Sequence, residues 1–306
     1  GGQGRCTEGH RELRGDAVMA NGILIVDKPA DWTSQDVVSK LRGVFHERRA
    51  GHGGTLDPMA TGVLPLFFGR ATRAVEFFEH ADKTYVAGLR LGMVTDTQDT
   101  TGNVLEEPPC AISRGELEAA LSHFVGEIEQ IPPMYSAIKV GGKKLYELAR
   151  KGQEVERKAR RITVFSLKLL AFKENEATLE IHCSKGTYVR TLCHDIGAFL
   201  GCGGCMSALR LVQAGAYTAE QSHTMEDLLS CEAPEALLLP VDSLFLAYPD
   251  LTLTASQEKC IRNGAGFTLY GRAEGKYRLY SREGEFLALA EQKAEKLQPI
   301  KSFFEV

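Results

Sequence analysis

One stretch of twelve residues gathers groups that could do chemistry: Gly51-His52-Gly53-Gly54-Thr55-Leu56-Asp57-Pro58-Met59-Ala60-Thr61-Gly62. Asp57 offers a carboxylate, His52 an imidazole, and four glycines surround them. Glycine admits φ > 0 and lets another chain come close, while Pro58 fixes its own φ and turns Asp57 toward an extended conformation. A loop of this kind holds Asp57 stiffly and leaves room beside it. A single carboxylate so placed suffices for covalent or elimination chemistry. The same composition also fits a surface turn with a hydrogen-bonded Asp. Neither a Walker A loop nor a G-x-G-x-x-G fingerprint is present here.

The elements that must position this loop follow from hydrophobic period. Residues 22–26 (GILIV) form a buried strand ending at Asp27-Lys28-Pro29, and Ser34 is expected to cap a helix carrying Val37, Val38, Leu41, Val44 and Phe45. Residues 63–68 read as a second buried strand, with 69–73 its exit into a helix. Residues 83–92 alternate, placing Tyr85, Ala87, Leu89 and Leu91 on one face, so Tyr85 alone reads as a core strand residue. A polar loop over 96–109 precedes the capping box Ser113-Arg-Gly-Glu116 and a helix with Leu117, Ala120, Leu121 and Phe124 inward. Residues 178–184 alternate again. Val189, Leu192, Cys193, Ile196, Phe199 and Leu200 then follow a helical period, which puts Arg190 in a first helical turn. A cation is unfavourable there unless an anion faces it, and a buried carboxylate would supply one.

A formal charge of -4 gives no global sign of nucleic acid, so any RNA-binding surface must be local. Residues 132–161 supply one. Nine basic residues (Lys139, Lys143, Lys144, Arg150, Lys151, Arg157, Lys158, Arg160, Arg161) face three acids (Glu147, Glu154, Glu156), a balance of +6, with Tyr135 and Tyr146 interleaved. Charge neutralises phosphates and rings stack on splayed bases; a solvated charged face is the alternative. Residues 212–250 carry seven acids and no Lys or Arg, a face that repels RNA and a candidate domain junction. No run of 18 apolar residues suggests a membrane span. Eight cysteines show no framework spacing and read as reduced cytosolic thiols; Cys202 and Cys205 have C-x-x-C spacing but no second pair to complete a zinc site. Residues 1–18 read as a disordered or non-native lead, with Met19 the suspected start.

The string G-T-L-D-P-x-A-T-G resembles the signature of the bacterial tRNA pseudouridine synthase B family. Asp27-Lys28-Pro29-Ala30-Asp31-Trp32-Thr33-Ser34 resembles its D-K-P-x-G-x-T-S, with Asp31 where the family has glycine. Lys83-Thr84-Tyr85 resembles its K-x-Y, and residues 183–190 (CSKGTYVR) its C-S-K-G-T-Y-x-R. Residues 132–150 resemble an insertion that folds over bound tRNA. Residues 200–211 resemble G-x-G-A-x-x-x-x-L-R-R, with Gly204 for the alanine and Leu211 for the second arginine.

The resemblance implies an α+β fold: a mixed, mainly antiparallel central sheet with flanking helices, plus a small β-rich C-terminal PUA-like domain. It places a catalytic domain over 19–247, an RNA-clamping insertion over 132–161, and the PUA-like RNA-binding domain over 248–306. It implies isomerisation of the T-loop uridine at position 55 of tRNA to pseudouridine, with Asp57 as nucleophile, Arg190 its ion-pair partner and Tyr85 stacked on the flipped base, where it could help remove the C5 proton. His52, Tyr188 and Leu209 would contact the substrate. Lys28 reads as a solvated turn lysine or a phosphate contact. Lys139, Lys143, Lys144, Tyr146 and Arg150 would bind RNA. The chemistry needs neither metal nor organic cofactor. The expected partner is the T-loop and T-arm of tRNA, with no DNA or membrane, for a monomer in the cytoplasm.

Three rival readings exist. A tRNA-binding protein without catalysis leaves an Asp57–Arg190 pair purposeless. A glycosidase-like hydrolase needs two carboxylates about 5–10 Å apart, and no second acid stands near Asp57 in sequence. A sister synthase working in a guide-RNA complex is chemically equivalent, but the chain lacks long basic tails.

Overall fold

A computed structural model describes residues 19–304; the expected lead over 1–18 lies outside the described residues. The chain opens with strand β1 (Gly22–Lys28), helix α1 (Ser34–Val44), strand β2 (Ala50–His52) and strand β3 (Thr61–Phe68). β1 and β3 are nearly continuous apolar runs because they lie buried within the sheet and pair in antiparallel register from Gly22↔Phe68 to Lys28↔Gly62. Strand β4 (Lys83–Leu91) alternates buried and half-buried residues, as does the strand Glu176–Cys183 beside it.

These elements belong to one ten-stranded sheet. Its order runs His223–Thr224, β1, β3, Gly204–Ala214, β4, Glu176–Cys183, Arg160–Lys173 and Gly126–Gln130, with β2 on β3 and Tyr217–Thr218 on Gly204–Ala214. Only His223–Thr224 with β1 and the short Arg210–Leu211 contact with β3 are parallel, so the sheet is mixed and mainly antiparallel. The helices Arg114–Ser122 and Val189–Phe199 lay Leu117, Leu121, Val189, Leu192 and Ile196 into the main apolar cluster.

Residues 250–302 form a five-stranded sheet in the order Asp250–Thr252, Gly275–Tyr280, Phe286–Lys293, Lys296–Ser302, Phe267–Thr268. A second apolar cluster, with Leu253, Ile261, Leu279, Leu287 and Leu297, fills it. Phe245, Phe286 and Phe303 cluster between the two bodies, with Phe286 and Phe303 stacked and Phe245 tilted against both, and Lys301 pairs with Glu76.

Local details differ from the sequence expectations. Thr33, not Ser34, caps α1, accepting from the Asp36 N–H. Residues after β3 first take a 3-10 turn, Gly69–Ala74, before a single α-turn. The β-rich module contains a helix, Ala255–Arg262, started by a Thr254/Gln257 capping box.

Candidate active site

Asp57 stands in the link between β2 and β3, and the β1–α1 segment grips the backbone on both of its sides. Before it, the Leu56 N–H donates to Ser34 Oγ at 3.0 Å. After it, the Pro58 carbonyl accepts from the Asp31 N–H at 2.8 Å and from Lys28 Nζ at 3.2 Å. Lys28 Nζ also donates to Pro29 O and Trp32 O at 2.8 and 2.7 Å, so each ammonium proton finds a carbonyl. This corrects the expectation for Lys28. It is 0% exposed, neither solvated nor open to a substrate phosphate, because three backbone acceptors converge on it. Burial lowers its pKa, against the opposing pull of Asp31, Asp57 and Asp36.

Asp31 takes φ 67, the left-handed conformation that explains why a glycine suits this place; aspartate is among the few side chains that visit it. Gly62 has a comparable necessity. At φ +109, a Cβ there would lie 2.1 Å from Leu211 O, where β3 meets the strand Gly204–Ala214.

Arg190, the second residue of the helix Val189–Phe199, is 7% exposed and reaches Asp57 with Nε to Oδ2 at 3.2 Å. Its Nη2 donates to Tyr135 O at 2.7 Å and its Nη1 to Thr97 O at 3.4 Å. One carboxylate and two carbonyls therefore offset a cation at a helix start, where it would otherwise be disfavoured. Asp57 keeps 41% of its side chain exposed, so it is paired on one side and open on the other.

The open side faces a cleft of about 780 Å³, a volume suited to a small-ligand or single-nucleotide site. Asp31, Asp57, Tyr188 and Arg190 line its base, and Tyr135, Tyr146 and Arg150 line it from the basic segment. Tyr188 is held by its backbone, with its N–H donating to Gln130 Oε1 at 3.0 Å and its carbonyl accepting from Gln130 Nε2 at 3.2 Å. Tyr146 sits between Lys144 Nζ and Arg150, 5.4 and 5.3 Å from the ring centroid. Lys139, Lys143 and Lys144 form a small hairpin outside the cleft, and Leu145 and Leu148 anchor the helix that follows.

Tyr85 is 8% exposed on β4, opposite Ile181 and Leu211. Burial, with Cys183 and the charge of Asp57, pushes its phenol far up, so it stays neutral. Tyr85, His52 and Leu209 do not line the Asp57 cleft. His52 is half-buried at the end of β2, with Nδ1 3.1 Å from Gly54 O, and burial lowers its pKa. Leu209 lies across from Ala87 and packs against the core. Cys202 and Cys205 have thiols pushed up to about 11 by burial, and the neighbour of the Cys202 thiol is Cys110.

Some site residues escape sequence reasoning. Asp99, 5% exposed, lines the cleft and accepts from Thr97 Oγ1, the Thr101 N–H and Thr101 Oγ1 at 2.8, 2.9 and 2.6 Å. It fixes the 96–103 turn whose Thr97 carbonyl receives Arg190; the run Thr97-Gln-Asp-Thr-Thr101 was the only local signal. Arg210 makes a two-pronged contact with Asp27, at 2.9 and 3.1 Å, linking two motifs 183 residues apart. No spacing rule connects such positions.

Among the described residues, no helix is long and apolar enough to cross a membrane. The family model "TruB family pseudouridylate synthase (N terminal domain)" matches residues 42–189, and "tRNA pseudouridylate synthase B C-terminal domain" matches 190–246. A tRNA pseudouridine synthase B of Azoarcus sp. (strain BH72) is 44% identical over 283 residues, 92% of this chain and 94% of that one. Another from Chromobacterium violaceum is 42% identical over 287 residues, again 92% and 94% of the two chains. Among solved structures, a chain of a Cbf5-Nop10-Gar1 complex superposes with TM-score 0.73 at 24% identity, covering 94% of this chain and 86% of that chain. A chain of the archaeal box H/ACA sRNP Nop10-Cbf5 complex gives 0.70 at 23%, covering 94% and 87%. At that identity the likeness concerns the fold.

Proposed function

Because the chain belongs to the TruB family of pseudouridylate synthases, we propose that this isomerase acts on the T-loop uridine at position 55 of tRNA, with Asp57 as its nucleophile. The reaction breaks the N1–C1′ bond, turns the uracil and joins C5 to C1′, so a hydrogen leaves C5 and no redox change occurs. The observation that carries this reading is the Asp57–Arg190 pair at the base of the cleft. Arg190 fixes one carboxylate oxygen and leaves the exposed side of Asp57 free to attack the sugar or the base.

The uridine must leave its stack to reach that carboxylate, at a cost of about a few kcal/mol. Tyr188 lines the pocket it enters and Tyr85 backs the base. As a neutral phenol, Tyr85 is better suited to packing than to taking the C5 proton unaided. His52 and Leu209, outside the cleft, would meet flanking parts of the loop. Lys139, Lys143, Lys144, Tyr146 and Arg150 would clamp the T-arm, with Tyr146 as a stacking platform. The five-stranded unit over 250–302 would add RNA contacts, and the enzyme would act as a cytoplasmic monomer on tRNA, not DNA.

Incubation with an unmodified tRNA transcript, followed by carbodiimide marking and primer extension, tests substrate and position together. A single stop at the T-loop uridine is expected. Stops elsewhere in the tRNA would replace the position assigned here.

A further inference from the structure

Lys83 begins β4, directly across from Cys183 and two residues before Tyr85 on the same strand face. It is partly buried, and burial lowers its pKa. Among the described residues its ammonium makes no hydrogen bond or ion pair. That ammonium is therefore free to meet an anion that arrives with the ligand.

The neighbouring surface shows which ligand. Gly54, three residues before Asp57, has φ +84, and among the described residues the atoms within 4 Å of the place of its absent side chain, its chain neighbours aside, are Lys83 Nζ at 3.4 Å and Lys83 Cε at 4.0 Å. A chain can thus pass over the signature loop at Gly54 and meet the ammonium. Lys185, two residues beyond Cys183, adds an exposed cation at this end of the sheet, its Nζ against His80 Nδ1. Two strand residues, about 6.6 Å, separate Lys83 from Tyr85, the reach from a nucleobase to its own backbone phosphate.

We infer that Lys83 is a phosphate-binding residue that takes a backbone phosphate beside the flipped nucleotide, with Lys185 as a second cation on the same strand of RNA. This rests on the RNA substrate proposed above. Lys28, a candidate phosphate contact by sequence, is sealed behind Pro58; Lys83 supplies the open charge on the other side of the loop.

Binding of a T-arm stem-loop to the Asp57→Asn protein across a range of potassium chloride concentrations tests it, with Lys83→Met and Lys83→Arg added to that background. Loss of one phosphate contact lowers the slope of log affinity against log salt by about one, and Lys83→Arg restores it. A second measurement leaves the Lys83 side chain intact. An RNA with one neutral methylphosphonate linkage beside the target uridine should bind about tenfold more weakly than the native RNA, and the same linkage should cost the Lys83→Met protein nothing further. An unchanged salt slope in Lys83→Met, or equal losses from the linkage in both proteins, overturns the phosphate site. Failure of the Asp57→Asn protein itself to bind the stem-loop would overturn the RNA reading, and the subsite with it.

Discussion

Lys28 Nζ donates to the carbonyl of Pro58, the residue that follows Asp57, from a position with no exposure to solvent. A charged side chain in the Asp27–Ser34 motif therefore acts on the Gly51–Gly62 loop as an internal clamp. Lys28→Met keeps the stem and removes three donors, leaving the carbonyls of Pro29, Trp32 and Pro58 without them. Unfolding by denaturant should show a loss of about 3 kcal/mol. Turnover should fall while RNA affinity stays near native; full turnover in a folded Lys28→Met protein would contradict the clamp.

Arg190→Ala should remain folded and lose activity. The guanidinium's lost bonds to Tyr135 O and Thr97 O cost about 1–3 kcal/mol, within the stability of an ordinary domain. The half-exposed Asp57 adds little to that loss, since water can solvate it. Single-turnover rates should drop by at least about 100-fold as the carboxylate loses its fixed geometry. Circular dichroism separates the cases: an unfolded Arg190→Ala protein would make the residue chiefly structural.

How much was legible in the sequence depends on the range over which each signal acts. The 83–92 alternation and the Ser113–Glu116 capping box are local, and both elements form where expected. The cation at the start of the helix Val189–Phe199 was an anomaly that demanded an anion, and Asp57 stands 3.2 Å from it. Thr33 and Ser34 were harder to tell apart, because either hydroxyl could cap α1. Ser34 instead spends its hydroxyl on Leu56, 22 residues away. Gln130, bonded to Tyr188, and the Asp27–Arg210 contact act across even longer separations, where no period or spacing marks them. Lys28 looked like a solvated turn lysine because one of the three carbonyls that hold its ammonium, that of Pro58, comes from a loop 30 residues on.

The His52 ring should make stability fall in acid. Burial holds its folded pKa below the unfolded value of 6.5, so both states are neutral above that pH and the unfolded chain takes the proton first below it. Stability is therefore full above about pH 6.5 and declines as pH falls through the depressed folded value. Melting temperatures between pH 7.5 and 5 should decline less for His52→Gln than for the intact protein. Parallel declines would mean that the ring is not held neutral.

The Lys139–Lys144 hairpin should contribute charge and not chemistry. Lys143→Ala with Lys144→Ala should lower the salt slope of T-arm binding by up to about two and leave the rate at saturating RNA near native. A fall in the saturated rate with no change in slope would place these lysines in the reaction.

An isomerisation by Asp57 that forms a C5–C1′ bond must eject the hydrogen at C5. The most direct measurement is tritium release from a tRNA transcript labelled at uracil C5, comparing the intact protein with Asp57→Asn. Release of about one label per tRNA is expected from the intact protein and none from Asp57→Asn. Equal release by both proteins would remove Asp57 as nucleophile, and tRNA binding by both without any release would contradict the proposed reaction itself.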